Sequence, residues 1–245
     1  MIDIHCHILP GLDDGARSWE EAIRMAVLAA QDGIEKVVAS PHLFKDRFHD
    51  MEVFNDKAAI LAKIQEFKKK LNQEEIPLEI LPGCDIHLCL RALDLLENDQ
   101  IFTINDTRSY ILLELPEMSF PPGMENICFQ LKSRGITPVI THQERHFIIR
   151  EMPEKLKRMV DLGCLVQITA SSVLGGFGRT VARFTRDLLK KGYVHVIASD
   201  AHNTSTRPPA LRRAVEEAAR VVGQARAWNI VTTVPAKIVN GESLD

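Results

Sequence analysis

Short apolar runs and helical repeats alternate along the chain. Residues 1–4 (Met1-Ile2-Asp3-Ile4) read as the opening of a buried strand, and residues 35–40, 78–85, 110–115, 136–141, 164–169 and 194–199 read as six more. Helical patterns lie between them. A capping box, Ser18-Trp19-Glu20-Glu21, opens a helix that runs to about Gly33. Val53, Ile60, Leu61, Ile64, Phe67 and Leu71 recur at helical spacing over 51–73. Further helices are predicted over 90–97, 124–133, 153–162 and 181–191, the last ended by Gly192. Residues 170–178 (ASSVLGGFG) read as a small-residue loop. Arg207-Pro208-Pro209 introduces a long last helix, and a short tail, 235–245, closes the chain.

That pattern is seven β/α units with no linker and no break in composition. It predicts one α/β domain over residues 1–245. The helical segments are long enough for crossovers, so the strands are expected to run parallel. Seven units in 245 residues point to a slightly reduced (β/α)7 barrel. An open doubly wound sheet is the competitor, but no G-x-G-x-x-G follows a strand.

Polar residues change the picture at the strand ends. His5-Cys6-His7 closes the first strand, and alternation puts both imidazoles on one face. His42 follows the second strand, Asp85 ends the third, Glu114 lies in the fourth, and His142 follows the fifth. Asp200-Ala201-His202 follows the seventh and repeats the alternation. Asp14, in the first loop, adds a carboxylate. Metal ligands thus mark six of seven strand ends, which converge on one mouth in a parallel barrel. Mixed imidazole and carboxylate donors without thiolate suit Zn, Mn or Fe. The set exceeds what one ion needs, and adjacent ions bridged by carboxylates typically serve hydrolysis at phosphorus or carbonyl centres. Arg145 lies three residues after His142, and Arg207 five after His202. Either is a fork for phosphate; a solvated surface arginine is the plainer alternative. His87 and His195 read as structural, His49 does not fit the pattern, and His146 is placed to touch substrate.

Composition narrows the class. Net charge is −3, and Lys68-Lys69-Lys70 is the one basic run, so there is no nucleic-acid footprint. The five cysteines are scattered and odd in number, as suits a reducing cytoplasm. No apolar stretch reaches the roughly 18 residues that span a membrane, and no signal peptide is visible. Residues 128–134 match C-x5-R, the spacing of cysteine-dependent phosphatases, but the intervening residues are helix formers without glycine.

With these residues assembled, the chain resembles the PHP (polymerase and histidinol phosphatase) superfamily, and within it the bacterial CpsB/YwqE-type metal-dependent protein-tyrosine phosphatases. The matching stretches are DIHCHILPGLDDG at 3–15, SPHLF at 40–44, LPGCDI at 81–86, LLEL at 112–115, TPVITHQERH at 137–146 and HVIASDAHNTSTRPP at 195–209. The resemblance implies a distorted seven-stranded barrel holding three divalent ions, often Mn. His5, His7, Asp85 and Asp200 would hold one. Asp85, Glu114 and His142 would hold a second, and Asp14, His42 and His202 the third. Arg145 and Arg207 match the phosphate-binding arginines. The departure is Asp85, where the family pattern has a bridging glutamate. The shorter side chain implies a small backbone shift or weaker binding of one ion.

The implied reaction is hydrolysis of phosphotyrosine. Water acidified by the ions attacks phosphorus in line with the tyrosyl oxygen, Arg145 and Arg207 neutralise the phosphoryl oxygens, and His42, Asp200 or His202 carries a proton to the leaving phenolate. The implied substrate is the tyrosine-rich tail of a cytoplasmic autokinase that controls capsule or exopolysaccharide synthesis. A small-molecule phosphoesterase such as histidinol phosphatase is the first rival. A metal-dependent amidohydrolase is the second, and lacks the expected lysine at a strand end. A catalytically silent, kinase-binding regulator is the third, and has no need of the ligand set.

Overall fold

The structure, a computed structural model, describes residues 1–43, 56–88, 91–116 and 119–244. Strand β1 (Ile2–Cys6) is wholly buried and leads into the first loop. Helix α1 (Trp19–Asp32) begins where the capping box places it, with Ser18 Oγ accepting from Glu21 N at 3.3 Å. It buries Ala22, Met25, Ala26 and Ala29 and stops at Gly33, whose φ of 89° is left-handed. Strands β2 (Lys36–Ala39) and β3 (His42–Leu43) follow, then α2 (Lys57–Gln73), whose buried face is Ile60, Ile64, Phe67 and Leu71. The start expected for this helix, 51–55 with Val53, lies outside the described residues, as do His49, Cys89 and Leu90. The chain continues through β4 (Glu79–Pro82), β5 (Asp85–His87), α3 (Arg91–Glu97), β6 (Tyr110–Glu114), α4 (Met124–Ser133) and β7 (Thr137–Ile140). It ends with α5 (Phe147–Glu151), α6 (Pro153–Asp161), β8 (Leu165–Thr169), α7 (Ala170–Val173), α8 (Arg179–Lys191), β9 (Val196–Ala198), α9 (Arg212–Val222), α10 (Gln224–Asn229) and α11 (Thr233–Asn240).

Every strand pairing is parallel. The order is β1-β2-β4 in one sheet and β3-β5-β6-β7-β8-β9 in the other. Two chain runs link them: β2 continues past Pro41 into β3, and β4 past Gly83-Cys84 into β5. Proline cannot donate a ladder bond, so β2 breaks there. At Gly83 a Cβ would lie 2.5 Å from Val38 Cγ1, so this crossing needs glycine. The result is a curled parallel α/β sheet. The described residues form nine strands where the sequence predicts seven, because the third expected strand is split between the sheets and the second continues past its expected end into β3. The curl brings the end of β9 to β1: Asp200 N donates to His5 O (2.8 Å) and His7 N to Ala201 O (2.9 Å).

Three further expectations need correction. The loop at 170–178 contains α7. The long last helix is broken at Gly223, whose φ/ψ of 84°/156° no helix accommodates, into α9 and α10. The tail is α11, with Pro235 in its first turn, where no backbone N–H is needed.

Two apolar layers hold the sheet. The larger packs the outer face against the helices. The smaller contains Ile2, Ile4, Val38, Leu81, Leu112, Val139 and Val196 from the strands with Ile238 and Val239 from α11. It forms a floor, which α11 covers. Asn105 Nδ2 donates to Val239 O (2.9 Å) and Tyr110 Oη to Glu242 O (2.6 Å), tying the cover down.

Candidate metal centre

The strand ends opposite that floor carry the polar residues. Within β1 the register shifts between Asp3 and Cys6. This irregularity changes the alternation: Ile2 and Ile4 join the floor, Cys6 the outer layer, and His5 and His7 share one face. Their Nε2 atoms are 3.1 Å apart. On β3 and β5, His42 and Asp85 are direct register partners, as are His87 and Glu114 on β5 and β6. His142 and Asp200 follow β7 and β9 with φ of 39° and 51°. Such backbone is uncommon for residues other than glycine, costs on the order of 1–3 kcal/mol, and clusters at functional sites.

All nine predicted ligands come together. Eight are buried and Asp14 is partly buried. Three groups have ligand atoms within 4.8 Å of one another: His5, His7 and Asp200; His42, Asp85 and Glu114; and His7, Asp14, His42 and His202. Asp85 Oδ2 lies 3.4 Å from His5 Nε2 and 3.3 Å from His42 Nδ1, between the first two groups. His142 Nε2 is 3.6 Å from Glu114 Oε1. His202 Nε2 is 3.2 Å from Asp14 Oδ2. These groupings overlap those the resemblance implies, with His7 and His42 each reaching a second group.

Two residues that the sequence reading passed over orient the imidazoles. His7 Nδ1 donates to Asp13 Oδ2 (2.6 Å), and His5 Nδ1 to Gln167 Oε1 (3.1 Å). His202 Nδ1 donates to its neighbour's carbonyl, Asp200 O (3.0 Å). In all three rings Nδ1 is thereby spent and Nε2 is turned into the cluster, as in metal-ligating histidines. The loop that delivers Asp13 lies so close to β1 that a Cβ on Gly15 would meet His7 O at 2.0 Å. The signals were present in the sequence: Asp13 is the other half of Asp13-Asp14, and Gln167 is the one polar side chain inside the buried run LVQI. His87 also approaches, with Nδ1 3.8 Å from Glu114 Oε2. His146 does not reach the centre. Its Nε2 donates to Pro116 O (2.9 Å) while Nδ1 accepts from Ile149 N, capping α5.

The electrostatics favour a cation. Burial would raise the carboxyls, yet charges and hydrogen bonds from neighbouring histidines and arginines hold Asp85, Asp200 and Asp13 below the usual range and Glu114 near 2. His5 and His42 act on Asp85, Arg145 and His5 on Asp200, His7 on Asp13, and His87 and His142 on Glu114. Burial lowers His42, with His7, and His142, with Arg145. Burial would lower His7 too, but Asp13 raises it to about 9. The ionised carboxylates and the neutral His42 and His142 are already in ligand form, while His5, raised by Asp85 and Asp200 against its burial, and His7 would give up a proton to metal. So many ionised carboxylates in one buried pocket are stable only with cations among them. The donor set therefore fits divalent metal.

Two guanidiniums border the cluster. Arg145 and Arg207 both place a terminal nitrogen on Asp200 Oδ2, at 2.9 and 2.5 Å. Each side chain is about a quarter exposed or less, at 21 % and 26 %. Below Arg145, Glu144 is fully buried and accepts from Thr169 N, Thr169 Oγ1 and Ser172 Oγ, anchoring the His142–Arg145 turn to the start of α7. Above it, the Phe177 ring lies 4.8 Å from the guanidinium carbon. In the sequence, Phe177 reads only as part of the 170–178 loop. Cys128 is no nucleophile: it is buried in α4, its thiol is pushed far up by Cys164 and burial, and Arg134 pairs with Glu97.

Residues 1–240 match the family described as capsular polysaccharide synthesis, CpsB/CapC. Tyrosine-protein phosphatase YwqE of Bacillus subtilis (strain 168) is 40% identical over 208 residues, 84% of this chain and 79% of that protein. Tyrosine-protein phosphatase CpsB of Streptococcus pneumoniae is 32% identical over 248 residues, 98% of each. A crystal structure from work on those same two proteins, described as unique metal-dependent tyrosine phosphatases, superposes with a TM-score of 0.93 at 34% identity. It covers 100% of this chain and 96% of the other.

Proposed function

The chain belongs to the CpsB/CapC family, and from that membership and the geometry of the mouth we propose that it is a metal-dependent protein-tyrosine phosphatase. The observation that carries this reading is the sharing of Asp200. One of its oxygens faces His5 and His7, while the other holds both Arg145 and Arg207. A phosphoryl group held by the two arginines would therefore lie against the ligand cluster. His5, His7, Asp85 and Asp200 would hold one divalent ion, Asp85, Glu114 and His142 a second, and Asp14, His42 and His202 a third, with Mn the favoured metal over Zn or Fe. When bound, such ions supply positive charge for the phosphoryl oxygens and acidify water. Asp85, seated between two groups, serves as the shared ligand despite being shorter than glutamate. In this reading the curled sheet is a distorted seven-position barrel, with residues 1–245 acting as one domain.

The chain's own groups account for the remaining chemistry. The two guanidiniums donate to phosphoryl oxygens and hold phosphorus in place as charge moves onto those oxygens. Asp200 keeps both forks oriented. Asp200, His42 and His202 adjoin one another in the cluster, and one of them is the proposed proton carrier for the leaving group. The tyrosyl oxygen leaves as a phenolate of pKa near 10 and needs little proton donation. The proposed substrate is a phosphotyrosyl segment of a bacterial tyrosine autokinase in capsule or exopolysaccharide synthesis. The proposed location is the cytoplasm, in keeping with the absence, among the described residues, of a helix long and apolar enough to cross a membrane.

The test is phosphate release from a phosphotyrosyl peptide and from histidinol phosphate, with Mn²⁺ and with chelator. Mn-dependent release from the peptide, lost with chelator, is expected. Turnover of histidinol phosphate alone would move the chain to small-molecule metabolism.

A further inference from the structure

Helix α8 carries a row of cations that the metal centre does not use. Arg179, Arg183 and Arg186 line a cleft of about 280 Å³ between α8 and α9, with Val173, Glu217 and Val221. Spacings of four and three put the three guanidiniums on one helix face. All three are exposed, and among the described residues none forms an ion pair. Glu217, the carboxylate lining the cleft, turns to Arg220 instead, at 2.6 Å. Like charges at this spacing repel, and among the described residues no carboxylate pairs with them. In a chain of net charge −3 the row is a local reversal of sign.

The row begins at the mouth. Gly178 opens α8, and Phe177 immediately before it rests on Arg145. With a rise of 1.5 Å per residue, Arg183 and Arg186 lie roughly 6 and 10 Å along the axis from Arg179. An extended peptide advances about 3.4 Å per residue. A segment held by its phosphotyrosine at Arg145 reaches the cleft within roughly three to six residues. Guanidiniums bind phosphate in a fork, at short charge-assisted distances. We infer that the α8–α9 cleft docks a second phosphorylated side chain of the same protein substrate. This rests on the phosphatase reading above. A concave cleft that starts at the mouth fits a peptide better than the flat surface of an anionic membrane.

The test compares wild type with R183E/R186E, both exposed positions, loaded with Mn²⁺. The substrates are p-nitrophenyl phosphate, a peptide with one phosphotyrosine, and a peptide with a second phosphotyrosine four residues away. The KM of the doubly phosphorylated peptide is expected to rise about ten-fold in the variant, the scale of a lost charge-assisted contact. The kinetics on p-nitrophenyl phosphate should stay unchanged. Equal losses on all three substrates, or no change on any, overturn the proposal. Anisotropy of a labelled, non-hydrolysable bis-phosphonate peptide measures docking without turnover. If wild type hydrolyses nothing, the phosphatase reading fails, while this binding still decides the cleft. Phosphatidylserine vesicles are the control: weaker vesicle binding by the variant with peptide affinity intact assigns the row to a membrane and overturns the proposal.

Discussion

The same strands build two unlike regions. Toward their beginnings, Ile2, Val38, Leu112, Val139 and Val196 meet in an apolar floor that α11 covers. At their ends, eight buried ligand residues and the partly buried Asp14 crowd together, two of them on left-handed backbone. The floor is satisfied by burial alone. The mouth is not: it collects buried charge and strained φ angles that cost free energy in folding. Stability and chemistry are therefore separated along each strand, within about five residues. A substitution should cost one or the other according to which end it strikes.

The largest effect is expected at the mouth. Asp85→Ala removes the carboxylate between two ligand groups and takes away an electrostatic effect worth several kcal/mol. Activity on a phosphotyrosyl peptide should fall about a thousand-fold or more, and chelation of wild type should do the same. Thermal unfolding of Asp85→Ala without metal should stay within a few degrees of metal-free wild type. A collapse of the fold would show that the mouth is structural after all and erase the contrast with the floor.

The floor should answer in the opposite way. Leu112 is fully buried, and Leu112→Ala should cost about 2–5 kcal/mol through lost burial and a cavity. For a chain of this size that is roughly 5–15 °C in Tm. Below the new Tm, Mn²⁺ affinity by calorimetry should match wild type. A loss of affinity as large as that of Asp85→Ala would mean that the two regions are not separable.

Much of this division was legible in the sequence. The apolar beginnings of the strands and the ligand types at their ends stand in plain order, because a parallel sheet turns chain position directly into place. What was hidden depended on three-dimensional detail. The shift of register within β1 cannot be read from IDIHC. The splitting of β2 from β3 follows from Pro41 only once the sheet is known to curl. Asp13 and Asp14 are indistinguishable as letters, yet one aims at His7 Nδ1 and the other at His42 and His202. Gln167 lies on the one strand without a predicted ligand, so only proximity to His5 shows its task. The final helix α11 read as a tail, because its apolar face matters only where the open end of the floor needs a cover.

A subtler effect within the mouth comes from His7. Asp13 holds its pKa at about 9, so at neutral pH a proton occupies the ring that metal must take. Lowering the pH adds protons and opposes metal; raising it removes them. Apparent Mn²⁺ affinity should therefore strengthen by at least about ten-fold per pH unit up to about 9 and then level off, one proton coming from His7 and a further share from His5, which Asp85 and Asp200 also raise. Asp13→Asn removes the charge that holds this proton, and the break should move to lower pH. The same substitution loosens the ring, so affinity on the plateau should fall, by roughly ten- to a hundred-fold. An unchanged break would mean that His7 does not bind metal.

The smallest effect expected tests whether the mouth extends beyond its charged groups. Phe177 is not itself a ligand, and its ring lies over the guanidinium of Arg145. A contact of this kind is worth about 0.5–2 kcal/mol, so Phe177→Ala should lower kcat/KM by roughly two- to thirty-fold, with Phe177→Tyr close to wild type. The double-mutant cycle decides the cause. If Phe177 acts by holding Arg145, its removal should cost nothing further in an Arg145→Ala background. If the losses simply add, Phe177 is only a wall of the loop, and the mouth ends at its arginines.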